Sequence, residues 1–555
     1  MASTPEHASS PGKLALVVAA SSAGTAFEWY DFFVFGTLAS TIAKHFTAGS
    51  ETAGFIFALG AFAAGFVVRP FGALVFGRMG DRAGRKKTFL ATIVMMGAAT
   101  VAIGLLPTAA QVGFLAPMLL VATRVIQGFA MGGEYGGAAI YVAEHSPANR
   151  RGFLTSWIQT TAAFGLMLAL AVILATRTLM GEEAFQAWGW RVPFILSGVL
   201  LALSLWIRLK LSESPVFQQM KEAQGVAKAP LAETFRGRNL KMVLIALVAI
   251  LLAQGAVWYT AHFYAQFFLE RVLKVPASTV NLLLMSSVLL SSGLYVFFGW
   301  LSDKIGRKPV MLFGMVLAVA SYVPGFHMLT AQANPALQAA AVAAPVVVLA
   351  DPGDCALQFD PLGQRQFTSA CDVAKRILSD AGVPYTNQAA KPGTPAVVRV
   401  GGRAVASVSL KGLDPVVAKA ERQRVTSDVK DALKAAAYPL AADPARIDLW
   451  RVLAVLLVFM VAATALYGPQ AAALVELFPT RVRYTAFSIP YNVGTGWVGG
   501  FLPVTAFALV AATGDLYFGL VYPIIFTVIS IIATVFLLPE TKGQALDALD
   551  GADAA

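Results

Sequence analysis

Long apolar stretches alternate with short polar segments along most of this sequence. Twelve stretches are predicted as helices, at residues 14–36, 53–76, 89–106, 115–139, 153–175, 190–209, 242–268, 280–301, 310–329, 450–472, 485–512 and 517–538. Each is close to or above the roughly 20 residues that a helix needs to cross the hydrocarbon core of a bilayer. A helix also satisfies its own backbone hydrogen bonds, which lipid cannot do. The pattern therefore predicts an all-α membrane protein with twelve transmembrane helices.

A short basic motif occurs twice in the chain. It spans residues 77–87 (GRMGDRAGRKK) and 299–309 (GWLSDKIGRKP), with an offset of 222 residues between the copies. The shared positions are Gly77/Gly299, Asp81/Asp303, Gly84/Gly306, Arg85/Arg307 and Lys86/Lys308. Each copy joins two apolar stretches, and duplicated bundles are a common architecture of secondary transporters. We therefore predict two halves of six helices each.

A second repeated segment locates an insertion. Glu144 begins the segment EHSPANRR, and Glu476 begins the related segment ELFPTRVR, 332 residues later. This offset exceeds that of the first motif by 110 residues, so the second half should contain an insertion of about that size. Residues 332–448 are polar and rich in Pro and Gly, and we predict them as a domain inserted between helices 9 and 10.

The inserted domain is predicted to have a small α/β fold. Segments 395–400 and 403–410 have the pattern of a β-hairpin with a tight turn at Gly401 and Gly402. Segments 366–381 and 413–436 are predicted as helices.

Both cysteines of the chain, Cys355 and Cys371, lie in this predicted domain. An oxidising compartment favours a disulfide between them. Two free thiols are the alternative.

Composition and charge agree with a membrane protein and set its orientation. The chain is 57% hydrophobic and 13% charged, whereas soluble domains carry about 25% charged residues. Lys and Arg concentrate in the loops after helices 2, 4, 6, 8 and 10. The positive-inside rule then places both termini in the cytoplasm and the inserted domain outside it. The formal charge of +11 therefore reflects topology, and nucleic-acid binding is not indicated.

These patterns divide the chain into five parts. They are an N-terminal bundle (1–209), a cytoplasmic linker (210–241), a C-terminal bundle (242–331 and 449–540), the inserted domain (332–448) and a cytoplasmic tail (541–555).

The repeated motifs place charges at the cytoplasmic ends of helices, where they can pair with each other or with exposed helix ends. A cluster that forms in one conformation only acts as a latch between states. We predict a gating motif of Gly77, Asp81, Arg82, Gly84, Arg85, Asp303, Arg307, Glu144, Arg151, Glu476 and Arg481. The alternative is that Lys and Arg in these loops only fix the topology.

The chain resembles the major facilitator superfamily, and within it the metabolite:proton symporters. The resemblance rests on five segments: 23–36 (AGTAFEWYDFFVFG), 69–87 (RPFGALVFGRMGDRAGRKK), 124–152 (RVIQGFAMGGEYGGAAIYVAEHSPANRRG), 211–217 (LSESPVF) and 474–500 (LVELFPTRVRYTAFSIPYNVGTGWVGG). That family includes carriers of citrate, 2-oxoglutarate, shikimate and proline/betaine. The resemblance implies a proton-coupled symporter in a bacterial inner membrane, and the insertion departs from the usual family pattern.

Carboxylates inside the predicted helices are candidates for proton coupling. Glu28 and Asp31 are three residues apart and share a face of helix 1, and Glu134 lies in helix 4. An ionisable group within a span is usually functional, and a carboxyl group in a site of low dielectric constant can hold a proton at neutral pH. The alternative is a structural partnership with a nearby arginine.

Two arginines are candidates for binding a substrate carboxylate. Arg69 lies in helix 2 and Arg124 in helix 4, and a guanidinium can grip a carboxylate with two hydrogen bonds. The predicted substrate-binding residues are Arg124, Arg69, Gln127, Tyr30, Gln254, Tyr491 and Asn492. The alternatives are an internal ion pair for Arg124 and a packing role for the aromatic residues.

Several function classes lack support in the sequence. It contains no G-x-x-x-x-G-K-[ST] motif, no HExxH motif and no Cys/His cluster with metal-ligand spacing. We therefore expect no enzyme activity, no cofactor and no metal, and a monomer that meets only lipid, protons and its substrate.

The predicted function is proton-coupled uptake of a small organic metabolite, a carboxylate by preference, through alternating access. A zwitterion or osmolyte symporter and an exporter are alternatives in the same class. A nutrient sensor that uses the inserted domain as a receptor is the alternative from another class.

Overall fold

The computed structural model describes residues 11–46, 51–210, 213–223, 225–357 and 367–546. Long helices precede and follow the inserted domain in the sequence. The first six are α1 Pro11–Thr37, α2 Glu51–Ala83, α3 Arg85–Leu105, α4 Leu115–His145, α5 Ala148–Met180 and α6 Gly189–Leu209. The next three are α7 Gly237–Val272, α8 Ala277–Ile305 and α9 Arg307–Ala333. Short helices at Ala39–Phe46, Ala109–Val112, Glu182–Ala187, Pro215–Glu222 and Pro230–Thr234 lie between them.

The inserted domain follows α9 and forms a mixed α/β fold. Its elements are α10 Pro335–Ala343, β1 Val346–Ala350, α11 Ala370–Ala381, β2 Thr386–Ala389, β3 Val397–Val400, β4 Arg403–Ala406 and α12 Pro415–Ala435. The sheet has the order β2-β1-β3-β4, with β1 parallel to β2 and antiparallel to β3. Three long helices complete the chain: α13 Leu449–Leu477, α14 Arg483–Thr513 and α15 Phe518–Phe536.

Ten helices in the described part of the chain are long and apolar enough to cross a membrane, namely α3 to α9 and α13 to α15. The helices α1 and α2 are also long, at 27 and 33 residues. Both contain ionisable residues, including Glu28 and Asp31 in α1 and Arg69 in α2.

The structure moves several predicted helix ends. The spans predicted to end at residue 76 and to begin at residue 89 continue to Ala83 and from Arg85. Hydropathy falls at residue 77, where the first basic motif begins. The helices α2 and α3 continue through the motif because its polar groups, such as Asp81 and Arg85, form ion pairs and hydrogen bonds. The break falls at Gly84, whose φ of 111° is a conformation that glycine tolerates, and Gly306 repeats it with a φ of 109° between α8 and α9.

Two helices of the second half depart from regular α-helical geometry. The helix α7 contains π-helical segments at Leu247–Leu251, Thr260–Tyr264 and Phe268–Val272, and α14 contains one at Val493–Gly499. The two helices pack closely, since a side chain at Gly255 would meet the backbone of Gly494. Segments of π-helix occur frequently at functional sites, so α7 and α14 are candidates for lining such a site.

The predicted features of the inserted domain are confirmed in large part. The strands β3 and β4 form the expected antiparallel hairpin, with Gly401 at a φ of 53°. The two helices begin a few residues later than predicted, at Ala370 and Pro415, and residue 366 lies outside the described residues. The disulfide between Cys355 and Cys371 is formed, with 5.2 Å between the Cα atoms.

Two strands of the domain were missed by the sequence prediction. The strand β1 is a short apolar run that follows an alanine-rich helix, so no change in composition marks its start. The strand β2 (TNQA) has neither β-branched nor aromatic enrichment beyond its first residue, and all four residues are exposed. Its pairing with β1 is a tertiary contact that local pattern does not indicate.

Candidate functional site

One cluster of charges, called here the first latch, joins the two halves at one end of the bundle. It consists of Asp81, Arg85, Glu144 and Arg483, all buried. The carboxylate of Asp81 on α2 accepts hydrogen bonds from the backbone N–H groups of Tyr484 and Thr485, at 3.0 and 2.9 Å. These amides lie in the first turn of α14, where a carboxylate also interacts favourably with the helix dipole.

Guanidinium groups complete the first latch. Arg85 pairs with Asp81 at 3.2 Å and with Glu144 at 3.5 Å, and it donates a hydrogen bond to the carbonyl oxygen of Thr480 at 2.8 Å. Arg483 pairs with Glu144 at 2.9 Å. Because Asp81, Arg85 and Glu144 belong to the first half and Arg483 to the second, the cluster ties the halves together.

A second cluster, the second latch, repeats this arrangement with the halves exchanged. It consists of Asp303, Arg307, Glu476 and Arg151, again all buried. Asp303 on α8 accepts hydrogen bonds from the N–H groups of Gly152 and Phe153 near the start of α5, at 2.9 and 2.8 Å.

The ion pairs of the second latch match those of the first. Arg307 pairs with Asp303 at 2.6 Å and with Glu476 at 3.2 Å. Arg151, from the first half, pairs with Glu476 at 2.8 Å. The sequence repeat is therefore a structural repeat.

Two charged members of the predicted gating motif, Arg481 and Arg82, lie outside the latches. Arg481 is part-exposed and pairs with Glu233 at 2.9 Å, and it makes none of the ion pairs of the first latch given above. Arg82 is exposed. Arg483 takes the position expected of Arg481, and the offset of 332 residues that relates Glu144 to Glu476 also relates Arg151 to Arg483. This offset was the signal that could have identified it.

Two further carboxylates brace the latches and were not predicted. Glu213 accepts hydrogen bonds from the backbone N–H groups of Arg85 and Lys86, both at 3.1 Å. Glu540 does the same for Arg307 and Lys308, at 2.9 and 3.0 Å. Each carboxylate thus caps the helix that follows a motif glycine. The signal was weak, because Glu213 and Glu540 share only a short acidic–hydroxyl pair, ES and ET.

The carboxylates of α1 are buried against α6. Glu28 forms an ion pair with Arg208 at 3.0 Å, and Asp31 accepts a hydrogen bond from the hydroxyl of Ser197 at 2.5 Å. Glu134 is buried on α4, and its Oε1 has no hydrogen-bond partner among the described residues. All three predicted proton-coupling residues are therefore held away from water.

A small cavity lies among α1, α2, α3 and α4 of the first half. It is lined by Phe32, Gly65, Phe66, Arg69, Met96, Arg124, Gln127, Gly128 and Met131. Arg124 donates a hydrogen bond to Gln127 at 2.6 Å and lies over the ring of Phe35, while Arg69 lies over Phe66. The two predicted arginines thus reach one cavity together with Gln127.

Two of the predicted residues of the second half, Tyr491 and Asn492, contact α4. The ring of Tyr491 stacks on Tyr135 with 4.2 Å between centroids, and Asn492 donates a hydrogen bond to the Gly132 carbonyl at 2.8 Å. Gln254 is buried, and its Oε1 has no hydrogen-bond partner among the described residues.

Tyr30 lies apart from the cavity. Its side chain is fully buried within α1 and α6, and its hydroxyl donates to the Pro193 carbonyl at 2.7 Å. The prediction that Tyr30 lines the substrate site is therefore not supported by its position.

No group of three or more His, Cys, Asp or Glu side chains with the geometry of a metal site occurs among the described residues.

The sequence and the fold of this chain are similar to those of known transporters. A model of the family "Sugar (and other) transporter" matches residues 16–245 and 442–552. The proline/betaine transporter of Salmonella typhimurium (strain LT2) is 35% identical over 327 residues, which are 57% of this chain and 65% of that protein. The inner membrane metabolite transport protein YhjE of Escherichia coli (strain K12) is 37% identical over 58% of this chain and 74% of its own length. The shikimate transporter of the same organism is 36% identical over 56% of this chain and 72% of its own length.

Among solved structures, the proton:xylose symporter XylE bound to 6-bromo-6-deoxy-D-glucose is similar in fold. The TM-score is 0.61 with 17% sequence identity, over 98% of this chain and 99% of that one. That structure belongs to the major facilitator superfamily, and at this identity the likeness concerns the fold alone.

Proposed function

This chain belongs to the sugar (and other) transporter family of the major facilitator superfamily, and from that premise we propose that it is a proton-coupled symporter of a small carboxylate-bearing metabolite. The single observation that carries the substrate class is the cavity shared by Arg69 and Arg124. Arginine forms paired hydrogen bonds with a carboxylate, and it keeps its charge when buried.

The relatives support the same substrate class. Proline, betaine and shikimate, named for proteins similar to this chain, differ in shape and in net charge. All three nevertheless carry a carboxylate group. A pair of arginines fits the part of the molecule that these compounds share.

In the proposed topology, α1 and α2 complete a set of twelve spans with the ten apolar helices. The latches lie at the basic, cytoplasmic end. The inserted domain lies at the opposite end, because α14 runs from Asp81's partner Tyr484 to residues that contact the domain, such as Ala512. The roughly 1.5 Å rise per residue makes this helix long enough to cross a bilayer.

The latches support alternating access. Both clusters are intact together, so the cytoplasmic end is closed in this state. Each latch contains an ion pair across the halves, Arg483 with Glu144 and Arg151 with Glu476. Opening that end requires both to break, and the two-fold arrangement lets one rigid-body motion do so.

Proton coupling is assigned to α1. Glu28 and Asp31 lie one turn apart, each with one partner on α6. Protonation of Glu28 would neutralise its carboxylate and weaken the ion pair with Arg208. A net charge moved through about 100 mV releases roughly 2.3 kcal/mol, enough to concentrate a solute.

Uptake into proteoliposomes tests the proposal. Labelled shikimate, proline and glycine betaine are offered with and without an inward proton gradient. We expect the gradient to stimulate uptake of at least one compound and a protonophore to abolish the stimulation. The variant Arg124→Lys is measured in the same assay. Arg82→Lys serves as its control, because Arg82 is exposed. Gradient-independent equilibration of every compound would refute proton coupling.

A zwitterion symporter is the second candidate, favoured by aromatic rings beside the cavity. Trp29 and Trp258 meet across the halves with 6.0 Å between centroids, and Trp258 packs against Tyr259. Aromatic faces attract ligand cations such as a quaternary ammonium. Binding of glycine betaine to the purified protein without any binding of shikimate would select this candidate, because a site for carboxylates in general should bind both.

A further inference from the structure

The inserted domain holds the end of α14 that lies opposite the latches. Tyr385 donates its backbone N–H to the Gly514 carbonyl at 3.0 Å and its hydroxyl to the Ala511 carbonyl. The Lys375 Nζ donates to the Ala512 carbonyl at 3.0 Å. Asn387 donates to the carbonyls of Ala512 and Thr513, at 3.1 and 2.8 Å.

These bonds satisfy groups that a helix leaves open. The last carbonyls of a helix have no partner within it, and a cation there interacts favourably with the helix dipole. The helix α5, which corresponds to α14 in the first half, carries Arg177 in its own last turn. The last turn of α14 has no basic residue. Lys375 of the inserted domain supplies one.

The same face of the domain holds the end of α7. Lys274, just beyond α7, donates its Nζ to the Asp380 carbonyl at 2.5 Å, and its own carbonyl accepts a hydrogen bond from the N–H of Ala442 at 3.0 Å. Asp380 and Lys375 both belong to α11. One helix of the inserted domain therefore contacts the ends of both α7 and α14.

The helices held in this way are the two that contain π-helical segments among the described residues. They carry Trp258 on α7 and Tyr491 and Asn492 on α14, which contact the first half beside the cavity. The disulfide anchors the start of α11, because Cys371 lies one turn before Lys375. A path of direct contacts thus runs from the disulfide through α11 to the substrate site.

We propose that the inserted domain is a splint of the transport cycle, in which Lys375, Tyr385 and Asn387 are positioning residues that make the ends of α7 and α14 move as one unit. Without the splint, each helix end can move separately, and the aromatic contacts beside the cavity form less often. Burial lowers the pKa of Lys375, so an ammonium placed here needs the carbonyl of Ala512 and the helix dipole in compensation.

A distance measurement tests the splint without any substrate. Cysteines introduced at the exposed positions Arg271 and Asp515 place spin labels at the ends of α7 and α14. The native cysteines are joined in the disulfide and are not labelled without reductant. We expect a single narrow distance distribution in the parent protein and a distribution several-fold broader in Lys375→Met with Asn387→Ala.

Matched variants separate positioning from general destabilisation. Lys375→Arg keeps a cation at the carbonyls and should restore the narrow distribution, and Lys419→Met removes a charge from an exposed part of the same domain and should change nothing. An unchanged distribution in the double variant would overturn the proposal, as would equal broadening in Lys419→Met.

The kinetic part of the test rests on the proposed function. The double variant should lower the maximal rate of proton-driven uptake several-fold and leave the concentration for half-maximal uptake unchanged, with rescue by Lys375→Arg. A loss of affinity with the rate intact would contradict a positioning role. If the parent protein transports nothing, the proposed function fails, but the distance distributions still decide whether the splint exists.

Discussion

The charged groups of the latches and those around the cavity differ in which parts of the molecule they join. Each latch has an ion pair between the halves, such as Arg483 with Glu144. Around the cavity, the polar contacts of Glu28, Asp31 and Arg124 described above stay within the first half. In the proposed transport cycle, the ion pairs between the halves break whenever the latched end opens, whereas a contact within one half can persist. Latch substitutions should therefore change rates, and cavity substitutions should change binding or coupling.

The largest effect is expected at Asp31. Asp31→Asn keeps the shape of the side chain but cannot release a proton, so proton-driven accumulation should be lost while exchange of substrate across the membrane continues. The measurement compares uptake driven by a pH gradient with counterflow in the same proteoliposomes. Ser197→Ala is the control, because it removes the hydrogen-bond donor to Asp31 and leaves the carboxyl group in place. Accumulation that persists in Asp31→Asn would assign coupling elsewhere, with Glu28 the next candidate.

The next effect is expected in the first latch. Asp81→Asn weakens two hydrogen bonds to the start of α14 and the pairing with Arg85. Hydrogen bonds to charged groups contribute about 1.5–3 kcal/mol each, so the conformation closed at the latches should lose about a factor of ten or more in population.

Labelling of a cysteine introduced near the latch measures that opening, alongside the turnover rate. Asp303→Asn in the second latch is the matched variant, and by the two-fold arrangement it should act in the same direction. Lower substrate affinity at unchanged turnover in Asp81→Asn would erase the distinction between latch and cavity.

A smaller effect, and one of the opposite kind, is expected at Arg124. Arg124→Lys keeps the charge but loses the fork that matches a carboxylate. We expect roughly tenfold weaker binding, equivalent to about 1.4 kcal/mol, with the maximal rate little changed. Equilibrium binding of substrate by the purified protein, followed by isothermal titration calorimetry, measures this directly. If turnover falls instead of affinity, Arg124 belongs with the moving contacts.

The sequence predicted the latches better than the cavity. Asp81, Arg85, Asp303 and Arg307 recur at a fixed offset, and the duplication of the fold turns that offset into equivalent positions. The cavity has no such internal reference. Tyr30 was predicted to line it, but a helix directs adjacent residues to different faces, and Tyr30 packs against α6.

The sequence also did not predict contacts between residues that are distant in the chain. Arg208, Ser197 and Glu213 bond to groups more than 120 residues away. The contacts of Lys375 with α14 belong to the same kind, because nothing in the local pattern of α11 indicates which helix end it meets. Composition identified the inserted domain and its disulfide, but not the surface to which the domain is attached.

The smallest effect is expected at Arg481. Its neighbour Arg483 allows an exposed and a buried arginine of the same loop to be compared. Arg481 and Arg483 are two residues apart, yet Arg481 forms a part-exposed pair with Glu233 while Arg483 is fully buried against Glu144. Exposed ion pairs contribute about 0–1 kcal/mol, whereas removal of one partner from a buried pair costs about 3–5 kcal/mol. Arg481→Met should therefore leave turnover within a few-fold of the parent rate, and Arg483→Met should abolish the conformation that is closed at the latches. Both variants are compared by turnover and by labelling at the latch. Equal losses in the two variants would mean that positive charge in this loop, and not the buried geometry of the latch, governs the cycle.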